Sequence, residues 1–290
     1  MTSIVIPAHN EGRVLGRTLD AVLGSAPDGP STDGFDVLVV CNGCTDDTAE
    51  TARRRGVRVL ELPEPSKHAA LRAGDELAHG FPRVYLDADV VISGADLRTL
   101  TGALGDGVLA AAPGRDLPLD DCDWRVRAYY RVWQRLPAVR AGLFGRGVIA
   151  VSEEGQRRLA ALPPLMADDL AASLAFGPDE RKVVELARVT VHPPRTWPDL
   201  IRRRVRADTS STQLERHQRQ AAADGAQPAA HPTARTSKAD LLALMRAEPA
   251  LMASVPVFAA AAVIARRRSR EAVRVGDFGT WLRDESSRQA

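Results

Sequence analysis

The sequence predicts an α/β fold, a mostly parallel central sheet flanked by helices and followed by a helical carboxyl-terminal extension. Three observations carry this expectation. Short β-branched runs alternate with amphipathic stretches through the first hundred residues. The run Val37-Leu38-Val39-Val40 is continuously apolar, as in strands covered on both faces. Glycines and prolines such as Gly56, Gly80 and Pro82 stand where helices must stop.

In chain order, residues 3–7 form the first strand, and Asn10 is placed to cap a helix carrying Val14, Leu15, Leu19, Val22 and Leu23. Residues 36–41 form the second strand. A polar turn over Asn42-Gly43-Cys44-Thr45 leads into a second helix that runs through Arg55. Residues 57–62 read as the third strand, 66–79 as a helix and 83–86 as the fourth strand. Beyond these, 107–112 and 147–152 read as strands with a helix over 124–136 between them. A helix over 165–176 and a strand over 183–191 follow, and 221–235 has no periodicity. The expected organisation is one domain over 1–215, with a nucleotide-binding half (1–112) and an acceptor half (113–215). A flexible linker over 216–237 and the helical extension over 238–290 complete it.

Composition narrows the function classes. The 290-residue chain is 44% hydrophobic and 26% charged, enough to bury a core without disulfide or metal staples. Its 39 basic and 37 acidic residues leave a net charge of +2, too balanced for a protein that coats nucleic acid. Three cysteines, an odd number, argue for a reducing compartment, and a cytoplasmic location is expected. The first residues carry no positive segment ahead of an apolar one, so they do not read as a signal peptide. The longest apolar run, 255–265, contains Pro256, precedes Arg266-Arg267-Arg268 and is shorter than the about 20 residues of a bilayer span. Two uses stay open for it, a core-packing helix or peripheral contact with a membrane interface.

The chemistry concentrates at Tyr85-Leu86-Asp87-Ala88-Asp89. Residues two apart at a strand's carboxyl end project together, and in open parallel sheets that edge is where ligands bind. Two hard oxygen donors there suit Mn²⁺ or Mg²⁺ bridging a diphosphate; the plain alternative is a solvated turn. Cys41-Asn42-Gly43-Cys44 has redox spacing, but no second pair completes a zinc site and Cys41 ends an apolar strand, so it reads as a structural turn. No phosphate-binding P-loop occurs. Asp168 and Asp169 sit among apolar residues, where one of them can act as a general base or both can serve as helix-start acids. The basic run over 202–206 is either a solvated helix face or a phosphate-neutralising one.

Four segments in this order, Ile4-Val-Ile-Pro7-Ala-His-Asn10-Glu11, Val39-Val-Cys-Asn42-Gly43-Cys-Thr45-Asp46, Ser66-Lys67-His-Ala-Ala-Leu71 and Leu86-Asp87-Ala-Asp89, resemble the family 2 glycosyltransferases of GT-A (Rossmann-like) fold. The resemblance covers about residues 3–210. It implies an inverting, metal-dependent transferase that moves a sugar from a nucleotide-diphosphate donor to an acceptor hydroxyl. By that resemblance, Pro7, Ala8, Glu11, Asn42, Asp46 and Lys67 contact the nucleotide sugar. Asp89 and Asp87 hold the metal, and Asp169, with Asp168 beside it, is the base. Arg203 and Arg206 are candidates to grip the diphosphate. Cys41-Asn42 stand where the family usually carries a carboxylate, which keeps GDP and dTDP donors open beside UDP, the first choice. The Q-x-x-R-W motif of processive synthases is absent, implying single transfers. A catalytically silent scaffold that binds a nucleotide sugar is the rival reading. A sugar nucleotidyltransferase lacks its glycine-rich basic loop here.

Overall fold

The computed structural model describes residues 1–24, 34–163, 168–223, 236–275 and Ser286. The first half alternates as expected: β1 (Thr2–Ala8), α1 (Gly12–Leu23), β2 (Phe35–Asn42), α2 (Thr48–Arg53), β3 (Arg58–Leu62), α3 (Lys67–Leu77) and β4 (Arg83–Leu86). There follow β5 (Val90–Ile92), α4 (Gly94–Thr101), β6 (Ala110–Asp116), α5 (Trp124–Trp133), α6 (Pro137–Ala141), β7 (Val148–Val151), α7 (Glu153–Ala160), α8 (Asp168–Leu174) and β8 (Arg181–Val191). The carboxyl-terminal helices are α9 (Trp197–Ala223), α10 (Lys238–Ala247) and α11 (Val255–Val275).

The eight strands form one sheet in the order β3-β2-β1-β4-β7-β6-β8-β5. β1 to β4 are parallel, whereas β7 runs against β4 and β6, and β5 runs against β8. The strand period of two sorts the apolar side chains to opposite faces. Ile4, Ile6, Val37 and Val39 pack with Leu15 and Leu19 of α1 and Leu97 of α4. Val5, Leu38 and Val40 pack with Ala70 of α3. The chain winds β1-β2-β3 to one side and then places β4 on the other side of β1. The carboxyl ends of β1 and β4 therefore flank a topological switch point, where open α/β sheets leave a crevice.

A second core lies under the carboxyl-terminal helices. Tyr129, Val132, Leu200, Ile201 and Val205 enclose Phe258, Ala261 and Ala265 of α11. The Phe258 ring stacks on Tyr129 with centroids 5.1 Å apart. The apolar stripe of α11 is thus turned inward, the core-packing use of the two. Among the described residues no helix is long and apolar enough to cross a membrane.

Several boundaries differ from expectation. Asn10 does not cap α1; it adopts φ 52°, and its Oδ1 accepts from the Thr45 amide at 2.7 Å, so it ties two loops together while Glu11 begins the helix. The helix expected over 124–136 breaks before Pro137, which cannot donate to the preceding turn and starts α6. The strand expected from 107 begins at Ala110, because Gly105, Asp106 and Gly107 all take positive φ in a turn. α9 continues to Ala223, into the segment read as a linker, and 224–235 lie outside the described residues.

Candidate active site

Three loops at the switch point build the site. The first follows β1, where Pro7, His9 and Glu11 border a cleft of about 510 Å³. It is braced from β2: the buried Asn42 amide donates to the Ala8 carbonyl at 2.9 Å, and its Oδ1 accepts from the Ser66 amide at 3.0 Å. The His9 Nδ1 lies 2.6 Å from the Asn42 carbonyl oxygen and donates to it. Cys44 Sγ accepts from the Asn10 amide at 3.4 Å, the structural role expected of that turn. Asn42→Asp removes the donor to Ala8 and sets a carboxylate against a buried carbonyl. Unfolding in urea is expected to show a loss of about 1–3 kcal/mol.

Asp46 works beneath this loop. Burial opposes its ionisation, but the Thr48 hydroxyl and the Gly12 and Thr48 amides outweigh it and hold the carboxyl below the usual carboxylate range. Its oxygens fasten the start of α1 to the start of α2.

The second loop carries Asp87-Ala88-Asp89, between β4 and β5. The Asp87 amide donates to the Gly147 carbonyl at 2.8 Å, and the Asp87 carboxylate pairs with Lys67 Nζ at 2.9 Å. α1 holds the turn from behind. The buried Thr18 hydroxyl shares its proton between the Ala88 and Val90 carbonyls, at 2.8 and 2.7 Å, and Arg17 donates to the Asp89 carbonyl at 3.2 Å. Gly147 has φ +67°, and a Cβ there would stand 2.5 Å from Val90 Cγ1, so only glycine permits this approach.

The third loop joins α6 to β7 and meets α8. Asp169 Oδ2 accepts from the Gly145 amide at 2.9 Å. The neighbouring Arg146 is buried and donates to the Gly142 and Pro113 carbonyls at 3.1 and 2.8 Å, which stiffens the loop. Burial lowers the Arg146 pKa to about 10.

The cleft gathers Pro7, Glu11, Asn42, Lys67, Asp87, Asp89, Asp169, Arg203 and Arg206, all expected from the sequence. Ala8 and Asp46 do not border the cleft; the Ala8 carbonyl accepts from Asn42, and an Asp46 oxygen accepts from the Gly12 amide. The side chain of Asp168 lies outside the described residues. Sequence reading missed His192. Val90 pairs with Val191 in antiparallel register, so His192, the next residue, comes beside Asp89. Burial pushes its imidazole below the usual range, helped by Arg17 and Arg195 and opposed by Asp89. A neutral ring adds no positive charge where a cation would sit. Only the sheet register gives its position away.

Among the described residues, no three acidic, histidine or cysteine side chains gather to cage an ion unaided. Two carboxylates beside open cleft space nevertheless suit Mn²⁺ or Mg²⁺, which take one or two carboxylates and complete their shell from water and phosphate oxygens.

The profile of glycosyl transferase family 2 matches residues 3–151, half of the chain. The chain belongs to this family. An uncharacterized glycosyltransferase of Mycobacterium tuberculosis is 36% identical over 123 residues, which cover 42% of this chain and 51% of that protein. The glycosyltransferase AglD of Haloferax volcanii is 30% identical over 118 residues, 39% of this chain and 19% of that protein. The chain thus spans about half the length of the mycobacterial relative it matches. Among solved structures, glucosyl-3-phosphoglycerate synthase from Mycobacterium tuberculosis in complex with Mn²⁺, UDP and glucosyl-3-phosphoglycerate aligns with TM-score 0.49 and 22% identity, covering 69% of this chain and 74% of that one. The matched span ends at Val151, so Asp169, His192 and all of α9 lie beyond it.

Proposed function

We propose that the protein is an inverting, non-processive glycosyltransferase that moves a sugar from a nucleotide-diphosphate donor to an acceptor hydroxyl. The observation that carries this reading is convergence: Asp169 approaches the cleft from α8, and Asp87 and Asp89 from the β4–β5 turn. In a silent nucleotide-sugar scaffold Asp169 would serve only to brace the Gly145 loop.

The nucleoside sits against Pro7, Glu11 and Asn42, and the diphosphate lies toward Lys67 and the Asp87-Ala88-Asp89 turn. Asp89 with Asp87 would hold Mn²⁺ or Mg²⁺, which when bound would supply positive charge beside the departing diphosphate. Lys67 adds a fixed cation at the same edge, and Arg203 and Arg206 bring two more from α9. Asp169 takes the acceptor proton as the acceptor oxygen attacks the anomeric carbon. The bond from that carbon to the diphosphate oxygen breaks, and configuration inverts.

Thermal unfolding with UDP, GDP or dTDP, each with and without Mn²⁺, tests the donor half of this reading. A nucleotide at a hundred times its dissociation constant stabilises by about 2.7 kcal/mol, which raises the midpoint by roughly 5–10 °C in a chain of this size. UDP is the nucleotide expected to do so, only with the metal, and Asp89→Ala abolishes the shift. No shift with any of the three nucleotides overturns the donor assignment.

A further inference from the structure

Arg115 is a half-buried cation that neither donor binding nor proton transfer uses directly. It follows a register shift in β6 between Pro113 and Gly114, an irregularity that re-aims the side chains after it. Arg115 donates through Nη2 to the Val139 carbonyl at 2.6 Å and through Nη1 to the Gly145 carbonyl at 3.1 Å. Its guanidinium lies over the Trp133 ring, with Cζ 4.5 Å from the centroid. Burial works against its charge, and the neighbouring Arg146 adds to that opposition. An apolar side chain would fill the same space without that cost, so the two hydrogen bonds are what the charge is kept for.

One of those bonds leads to Asp169. Gly145 takes φ +66°, and a Cβ on it would stand 3.3 Å from Arg115 Nη1 and 3.4 Å from Trp133 Cη2. The residue therefore sits in a slot between the guanidinium and the indole. Its carbonyl accepts from Arg115, and its amide donates to Asp169 Oδ2 at 2.9 Å. Asp169 Oδ1 accepts from the Leu170 amide at 2.7 Å, a contact within α8. The Ser173 hydroxyl of α8 accepts from the Leu143 amide at 3.0 Å and docks the helix on the same loop. Gly145 then aims the carboxylate from across that loop. Trp133, Gly145 and Asp169 border the cleft, and Arg115 stands behind them.

Resting on the reading above in which Asp169 is the base, we propose that Arg115 is a positioning residue for that base. It acts through Gly145, holding the carbonyl so that the amide of the same residue meets Asp169, and Trp133 is the shelf that keeps the guanidinium in place. By also holding the Val139 carbonyl at the end of α6, Arg115 ties both ends of the segment from α6 to Gly145 to β6 of the central sheet. The base is thereby referenced to the sheet and not only to its own short helix.

Two readouts on the full chain test this. Hydrogen exchange of the Gly145 amide, followed by ¹⁵N-glycine NMR, is expected to quicken at least about tenfold in Arg115→Met, as its bond to Asp169 is released. UDP release from UDP-glucose with Mn²⁺, water standing in for the acceptor, is expected to fall about ten- to hundredfold in kcat. KM for UDP-glucose stays within about twofold, because the hydrogen bonds of Arg115 go to Val139 and Gly145 and not to the donor loops. Added to Asp169→Asn, Arg115→Met is expected to change kcat by less than about twofold, since the two act as one unit. Arg115→Lys keeps the charge but cannot span both carbonyls, and falls between the parent and Arg115→Met in both readouts. It carries the test alone if the methionine variant does not fold. Unchanged Gly145 exchange overturns the proposal. So does a loss of kcat that persists in full beside Asp169→Asn, which marks Arg115 as a support of the fold alone. UDP release indifferent to Asp169→Asn refutes instead the base reading on which this inference rests, and the exchange readout still decides whether Arg115 holds Gly145.

Discussion

Asp169→Asn is expected to lower turnover by about 10²–10⁴-fold, the usual contribution of a positioned general base. Asparagine keeps the size of the side chain, and its carbonyl oxygen can still accept from the Gly145 amide, so the loop between α6 and β7 stays in place. What is lost is the negative oxygen proposed to receive the acceptor proton. Nucleotide affinity measured with Mn²⁺ is expected to stay within twofold, because Asp169 comes from α8 and not from the loops that hold the donor. Release of nucleoside diphosphate under steady-state conditions reads the effect. Turnover within threefold of the parent means that another group takes the proton.

The second large effect is structural. Phe258→Ala is expected to cost about 3–5 kcal/mol, since it empties a ring-sized space in the second core. The ring is 6% exposed and stacks on Tyr129, which is itself 2% exposed. Chemical unfolding should report this loss, and a value below about 1 kcal/mol shows that α11 is dispensable to the core. The same packing makes deletion of the last forty residues a poor probe of membrane contact. Such a deletion opens the second core and removes Arg266 from the cleft at once.

Much of this architecture is written locally. The alternation of β1, α1, β2 and the next strands follows from runs of four to eight apolar residues and from glycine stops, so the first half of the sheet is readable element by element. Asp87 and Asp89 are legible because two residues and their strand suffice to place them. Ala8 and Asp46 show the limit. A motif registers that a residue type recurs in a loop, but whether its oxygens face the cleft or brace the loop depends on partners more than thirty residues away. His192 was hidden for a related reason: it acquires meaning only from Asp89, a neighbour distant in sequence. The far half of α9 is rich in serine, threonine and glutamine, which blurs its helical period and invites a linker reading.

The pairing of β5 with β8 sets an order of assembly. The Asp87-Ala88-Asp89 turn belongs to the first third of the chain, yet among the described residues β5, which ends it, has its strand partner about a hundred residues downstream. Closing so long a loop is entropically slow, and its contacts come after local ones during folding. As the chain emerges from the ribosome, β1 to β4 can pair as soon as they are made, whereas the Asp87-Ala88-Asp89 turn lacks its strand partner on one side until Val191 has appeared. A fragment that stops at Val151, however well it matches the family, would present the loop after β1 beside an unfinished Asp87-Ala88-Asp89 turn.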